Sequence, residues 1–247
     1  MPHFYVRPGN VKNNLFSMDK EQAHYVAAVR RFNEGDEIMI FDGLGNSYKA
    51  QITKSSKESI EGKILSSSYK MPDFSINIYT AIPKGDRFEW LIEKAGELGI
   101  AAVFPINTKR SVNPLGSAFS KNKLERYEKI SIAASSQCGR NDIMKVAEPL
   151  EFKKACQKAA ADKAFINLLA WESANGTSTI GTSATVPLTG ANIFIGPEGG
   201  FENDEVEFAK SLGIKTISLG ENILRVETAA VVASVLIFNA FGAGGKR

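Results

Sequence analysis

From Ser75 onward the chain alternates short apolar runs with amphipathic segments of helical period, and this alternation restricts the fold more than any other feature of its 247 residues. The run "INIYTAI" has strand length, and "DRFEWLIEKAGELG" then repeats apolar residues at Phe88, Leu91, Ala95 and Leu98 before stopping at Gly99, a residue suited to a helix C-terminus. The pattern returns with "AVFPI", a helix opened by Ser120 and running through Ala134, and the strands "KAFINLLA" and "NIFI". It closes with the helix "DEVEFAKSLG", capped by Asn203 or Asp204, the strand "TISLG" and a last apolar helix from about Thr228. Strands covered on both faces read as continuous apolar runs, so the expected fold is α/β, with a largely parallel sheet between layers of helices.

Residues 1–72 follow another period. The segments "EIMIFDG", "YKAQITKSS" and "SIEGKILSSS" are separated by the turn-forming "DGLGN" and "SSKE", the signature of antiparallel strands and hairpins. One helical segment interrupts them: "DKEQAHYVAAVRRF" places Ala23, Val26, Ala27 and Arg30 at amphipathic spacing before Gly35. With "SSSYKMPDF" and its Pro72 read as the linker, the expected organisation is a small β domain over 1–72 and an α/β domain over 73–247.

Composition narrows the function classes. At 43% hydrophobic and 23% charged the chain lies in the ordinary globular range. Its longest apolar stretch, Ala229 to Phe241, is broken by Ser234 and Asn239 and is too short to span a bilayer, so it reads as a buried core helix. The N-terminus "MPHFYVRPGN" lacks a basic region followed by an apolar one, so a cytoplasmic address is expected. Cys138, Cys156, His3 and His24 are the only cysteines and histidines, and none has ligand spacing, so no metal site and no Cys-His or Ser-His-Asp machinery is expected. Both cysteines read as small, partly buried side chains. A net charge of +3 does not by itself announce a nucleic-acid partner. Between Asn107 and Lys145, however, Lys109, Arg110, Lys121, Lys123, Arg126, Lys129, Arg140 and Lys145 face only Glu125, Glu128 and Asp142. Such a window is either a solvated helix face or a surface for an anionic polymer.

Two late loops carry the chemistry. "NIFI" is followed by "GPEGG" and then by a helix, and ligands of parallel sheets bind at the carboxyl ends of strands. Glycines there admit a ligand close to bare backbone N–H and C=O groups, and Pro197 stiffens one arm of the turn. The next strand ends in "ENILRVETAA", a second loop of the same kind. Arg225 is the only Lys or Arg between Lys215 and Lys246. It is either a salt-bridge partner for Glu198, Glu221 or Glu227, or a catalytic group. The phosphate-loop pattern is absent, which disfavours a triphosphate. A dinucleotide-binding arrangement, with Glu221 on a ribose, lacks the G-x-G-x-x-G spacing and has no room for further strands.

The stretches "KGDRFEWLIEKAGELGI" (84–100), "RSV" (110–112), "QCGRN" (137–141), "IGPEGGF" (195–201) and "LGENILRVETA" (219–229), with "HYVAAVRRFNEGDEI" and "FDGLGNSYKAQI" before them, resemble the RsmE family along essentially the whole chain. Ser136 and Asn222 depart from that family's pattern. The resemblance implies a PUA-like β-barrel for RNA placement, then a SPOUT-type α/β domain with a C-terminal trefoil knot, working as a homodimer. It also implies transfer of a methyl group from S-adenosylmethionine to N3 of a uridine in small-subunit (16S) ribosomal RNA. By that analogy Leu169, Ala170 and Trp171, Ile195, Gly196, Pro197, Gly199 and Gly200, and Leu219, Gly220, Ile223 and Leu224 hold the donor. Arg225 stabilises the developing charge or steers the base, and Arg140, with Asn141, is the second candidate. Glu198 is a base or simply Arg225's partner. Arg110, Lys121, Lys123 and Arg126 face phosphates, with His24, Arg30 and Arg31 extending that surface. A catalytically silent RNA-binding protein on the same fold is the rival reading.

Overall fold

The computed structural model describes residues 2–111, 119–172 and 188–241. They form two compact units: one takes the chain up to Met71 together with Ile132–Ile143, the other Pro72–Ser131 and the chain from Met144.

The first unit is a six-stranded sheet in the order β1-β4-β5-β6-β3-β2, from β1 (His3–Tyr5), β2 (Val11–Lys12), β3 (Leu15–Met18), β4 (Glu37–Phe41), β5 (Asn46–Ser55) and β6 (Ile60–Tyr69). The hairpins β4–β5 and β5–β6 are antiparallel as their alternation predicts. The turn between β4 and β5 is tied by buried Asp42, which accepts from the backbone of Leu44 (2.8 Å) and Asn46 (3.1 Å). Two features differ from the sequence reading. β1 pairs with β4 in parallel, because β2, β3 and the helix lie between them in the chain and supply the crossover. β6 runs on through Tyr69, so all of "SSSY" is strand and not linker. The helix is a short α1 (Lys20–His24), capped by Asp19 through the Gln22 amide (3.1 Å), and widens into a π turn over Tyr25–Val29. Ala23 and Val26 enter the core beside Ile38, Ile40 and Ile52, and the chain leaves the turn at Arg31 with φ 60°.

The second unit is a parallel sheet. Its main path, in strand order, is β10-β8-β7-β12-β11-β13, drawn from β7 (Ser75–Ala81), β8 (Ala102–Asn107), β10 (Leu150–Glu151), β11 (Phe165–Ala170), β12 (Gly190–Ile195) and β13 (Lys215–Ile217). The short β9 (Lys145–Val146) also joins β8, and every recorded pairing is parallel. Every residue of β12 is buried, as a central strand covered on both faces requires. Its register is marked by an amide ladder: Asn77 donates to Asn192 (3.0 Å), and Asn192 donates to Asn167 (2.8 Å), each pair lying opposite in the strand pairing.

Helices α2 (Arg87–Glu97), α3 (Lys121–Cys138), α4 (Phe152–Ala161), α5 (Asn203–Ser211) and α6 (Val226–Phe241) belong to this part of the chain, the last turns of α3 counting with the first unit. α2 buries Phe88, Leu91, Ile92 and Ala95, and ends in a Schellman turn in which the amides of Ile100 and Gly99 reach the carbonyls of Ala95 and Gly96. α3 runs to Cys138, one turn beyond the Ala134 expected. α5 is capped one or two residues earlier than expected from Asn203 or Asp204. Glu202 is the N-cap, and the buried Glu205 carboxylate accepts from the Glu202 amide (3.0 Å) in a capping box. α6 buries Ala229, Ala230, Ala233 and Ile237 but leaves Val235 and Leu236 exposed, so the expected core helix is buried on one face only. Cys156 is buried, which pushes its thiol up to about 12, whereas Cys138 is exposed against expectation. Among the described residues, no helix is long and apolar enough to cross a membrane. A knot depends on the path of the whole chain, including 173–187, and that expectation lies outside the described residues, as does the tail 242–247.

Candidate active site

Strands β12, β11 and β13 are consecutive neighbours, and parallel pairing brings all their carboxyl ends to one edge. A cavity opens there. Its walls are Ala170, Trp171 and Glu172 at the end of β11, Ile195, Gly196, Pro197, Gly200 and Phe201 after β12, and Ser218 through Leu224 after β13, closed by Val226 and Ala229 of α6. The first loop is a tight turn in which the Gly200 amide donates to the Pro197 carbonyl (2.9 Å). Gly200 has φ +70°, and a Cβ there would stand 3.1 Å from the Glu172 carboxylate. In the second loop Gly220 has φ +122°, a backbone that L side chains rarely adopt. The Trp171 amide donates to the Ile217 carbonyl (3.0 Å), fixing the end of β11 to that of β13. The result is a cleft lined largely by apolar side chains and open backbone, with Glu172 and Glu221 as its only charged walls among the described residues.

The glycine turn is braced from outside. Arg110, expected to face phosphates, donates from Nη1 to the Gly199 carbonyl (2.6 Å) and from Nε to Glu202 (2.8 Å). The hydrogen bond with Glu202 raises its pKa further. Beside it the Lys109 amide donates to Glu205 (3.0 Å), and the Lys109 ammonium pairs with Asp204. The Asp204 hydrogen bond raises the pKa of Lys109, and the same bond lowers that of Asp204. Val112, which closes the "RSV" stretch, lies outside the described residues.

A second cavity lies at the carboxyl end of β7, walled by Lys84, Gly85, Asp86, Arg87 and Trp90 on one side and by Arg225, Glu227 and Thr228 on the other. The first turn of α6 is common to both cavities: Val226 and Ala229 line the glycine cleft, Glu227 and Thr228 the second. Arg87 links this cavity to the glycine turn, its Nη1 lying 3.8 Å from Glu198 and its Nε 3.9 Å from Glu227.

Two family models match the chain, an RNA methyltransferase domain over residues 70–237 and an RNA methyltransferase PUA domain over 19–65. The ribosomal RNA small subunit methyltransferase E of Bacillus subtilis is 32% identical over 226 residues, covering 88% of this chain and 87% of its own. The chain belongs to the ribosomal RNA small subunit methyltransferase E family. Its Synechocystis member is also 32% identical, over 92% of this chain and 74% of that one. The crystal structure of the Neisseria gonorrhoeae member, bound to S-adenosyl methionine, superposes with a TM-score of 0.83 at 27% identity and covers 97% of each chain.

Within this methyltransferase fold, the structure gathers most of the residues expected around the donor. Ala170, Trp171, Ile195, Gly196, Pro197, Gly200, Leu219, Gly220, Ile223 and Leu224 all line the glycine cleft. Leu169 does not, since it is fully buried in the core beneath, and Gly199 turns toward Arg110. Sequence reasoning missed Phe201, Ser218, Val226 and Ala229 as walls of the cleft. Arg225 lines the second cavity and not the cleft; it is exposed and makes no ion pair among the described residues. The salt-bridge role weighed for it belongs to Arg87, which faces both Glu198 and Glu227. Arg87 stood inside a quoted stretch, yet nothing in its helical spacing separated it from a solvated position.

Arg140 falls in the first unit and pairs with Asp142 (Nε to Oδ1, 3.1 Å). Arg126 pairs with Glu89 (2.6 Å). Lys121 and Lys123 are exposed near the start of α3, and His24, Arg30 and Arg31 are exposed in the first unit. The basic window is thus partly neutralised by partners distant in sequence, which composition could not show.

Proposed function

We propose that this protein transfers the methyl group of S-adenosylmethionine to N3 of a uridine in 16S ribosomal RNA, as a homodimer acting on RNA of the small ribosomal subunit in the cytoplasm. The observation that carries the reading is the glycine cleft: three parallel strand ends offering apolar walls and open backbone, in a fold shared with a relative whose crystal structure holds that donor. An adenosine and a sulfonium need such a site. The ring is taken by apolar walls and its edge by backbone groups, with no lysine for a triphosphate.

Methyl transfer from a sulfonium is an in-line displacement, so the protein's task is to place donor and acceptor and to manage charge. Arg225, in the adjoining cavity, meets the negative charge that develops on the uracil carbonyl oxygens. Arg140 with Asn141 is the second candidate for contact with the RNA, and Glu198 holds Arg87 beside the glycine turn. Lys121, Lys123 and Arg126 on α3, and His24, Arg30 and Arg31 of the PUA-like unit, meet phosphates.

Mass spectrometry of ribosomal RNA from cells with and without the gene tests the reading. A single N3-methyluridine present only with the gene is expected, and its presence in both samples refutes the assignment. Calorimetry with S-adenosylmethionine tests the donor site on its own.

A further inference from the structure

The second cavity presents three polar groups that make no hydrogen bond among the described residues. Glu227 is 8% exposed, and its Oε2 is buried with no hydrogen-bond partner among the described residues. A buried acceptor left in this state costs on the order of 1–3 kcal/mol, so the fold keeps at this cavity a carboxylate that no hydrogen-bond donor among the described residues neutralises. Arg87 stands 3.8 Å and 3.9 Å from its two carboxylates, beyond hydrogen-bond reach, so its N–H donors are held by charge alone. Arg225 brings a second guanidinium to the same cavity, and Trp90, 44% exposed, brings an indole face.

Donor, acceptor and donor around one cavity are the complement of an imide edge, which offers carbonyl, N–H and carbonyl. Among the RNA bases, uracil carries that edge on its Watson–Crick side, and cytosine does not. We propose that the Arg87–Glu227–Arg225 cavity receives the flipped acceptor uracil, with Glu227 as the group that takes the N3 proton. This rests on the uridine-N3 reading given above and supplies it with a named proton acceptor. The uracil stacks on Trp90, a contact open to any base, while the two guanidinia and the carboxylate select the imide.

The steps balance as follows. The N3–H bond breaks, the proton passes to the Glu227 carboxylate, and N3 keeps the electron pair. The negative charge spreads over O2 and O4, where Arg87 and Arg225 donate. N3 then forms a bond to the methyl carbon as the carbon–sulfur bond of the donor breaks, and sulfur takes that electron pair to become a neutral thioether. Proton and methyl use the same N3 lone pair in turn, so the proton leaves before the methyl arrives. The first turn of α6, with Val226 and Ala229 on the donor cleft and Glu227 on the acceptor cavity, belongs to both sites, so that they adjoin.

The test is Glu227→Gln in the full chain, assayed with S-adenosylmethionine and its ribosomal RNA substrate. The amide keeps the side chain's size but cannot take the proton. Calorimetry is expected to give a donor affinity within about twofold of the parent, which also reports that the variant is folded, while turnover falls by at least about 10²-fold. The residual rate is expected to climb about tenfold per pH unit, as hydroxide substitutes for the carboxylate, over a range where the parent is level. Turnover within about threefold of the parent with an unchanged pH profile overturns the proposal, and so does loss of donor binding together with activity, which makes Glu227 structural. A parent product methylated elsewhere than N3 refutes the uridine-N3 reading itself, and is seen in the parent's digest before any variant is compared.

Discussion

The two cavities that share the first turn of α6 are made of different materials. The glycine cleft is built from strand ends and two turns whose shape depends on Gly200 and Gly220, and most of its walls are apolar or backbone. The neighbouring cavity is built largely from charged side chains at and just before the starts of α2 and α6, with one indole. A surface of backbone holds its shape whatever is bound, which suits a donor that must be positioned identically in every cycle. A surface of charges reached through long side chains responds to charge that appears only during the reaction. Substitutions in the first should therefore weaken donor binding, and those in the second should slow turnover with donor binding intact.

The largest effect expected is that of Arg225→Ala. Removing a donor aimed at developing negative charge should lower turnover by about 10²- to 10³-fold and leave the donor affinity within about twofold. Single-turnover transfer from labelled donor, read beside calorimetry, checks it; a matching fall in donor affinity would place Arg225 in the cleft and dissolve the comparison. Next comes Gly200→Ala. Its backbone at φ +70° and a Cβ 3.1 Å from Glu172 should weaken donor binding by about tenfold, through the roughly 1–2 kcal/mol cost of a left-handed L residue. Turnover at saturating donor should be nearly preserved.

Trp90→Ala sharpens the acceptor side. Losing one base-stacking face is worth about 1–3 kcal/mol, so the KM for RNA should rise by about tenfold while donor affinity stays constant. The smallest effect is expected from Glu198→Gln. Its ion pair with Arg87 is half exposed at 3.8 Å and worth at most about 1 kcal/mol, so the rate should stay within about fivefold of the parent. A loss of about 10²-fold would make Glu198 the proton acceptor and displace Glu227.

Much of this architecture is legible along the chain because it is set by local rules. The 3.6-residue period of Phe88, Leu91 and Ala95 and the apolar run of β12 are consequences of burial on one face or on two, and the structure keeps both. α4 was equally readable, since Phe152, Ala155, Cys156 and Ala159 have helical spacing and are buried, yet its lysines and short length hid it beside the stronger segments. The expected cap of α5 failed by one or two residues, because Glu202 caps through its backbone partner Glu205, a reciprocal arrangement that cap preferences at single positions do not reveal.

The sequence by itself determined the periods and the two glycine-bearing turns, because each depends on neighbours a few positions away, while the family and most of the cleft residues were legible only through the family resemblance. Tertiary structure decided the strand order, which sets β11 between β12 and β13 and so completes the cleft with Ala170, Trp171 and Glu172. It also decided that Arg87, more than a hundred residues upstream, faces Glu198 and Glu227, while Arg225 turns to the adjoining cavity. The reason is that charges pair by distance in space and not along the chain, and that distance is fixed when the apolar faces of α2 and α6 are buried against one sheet.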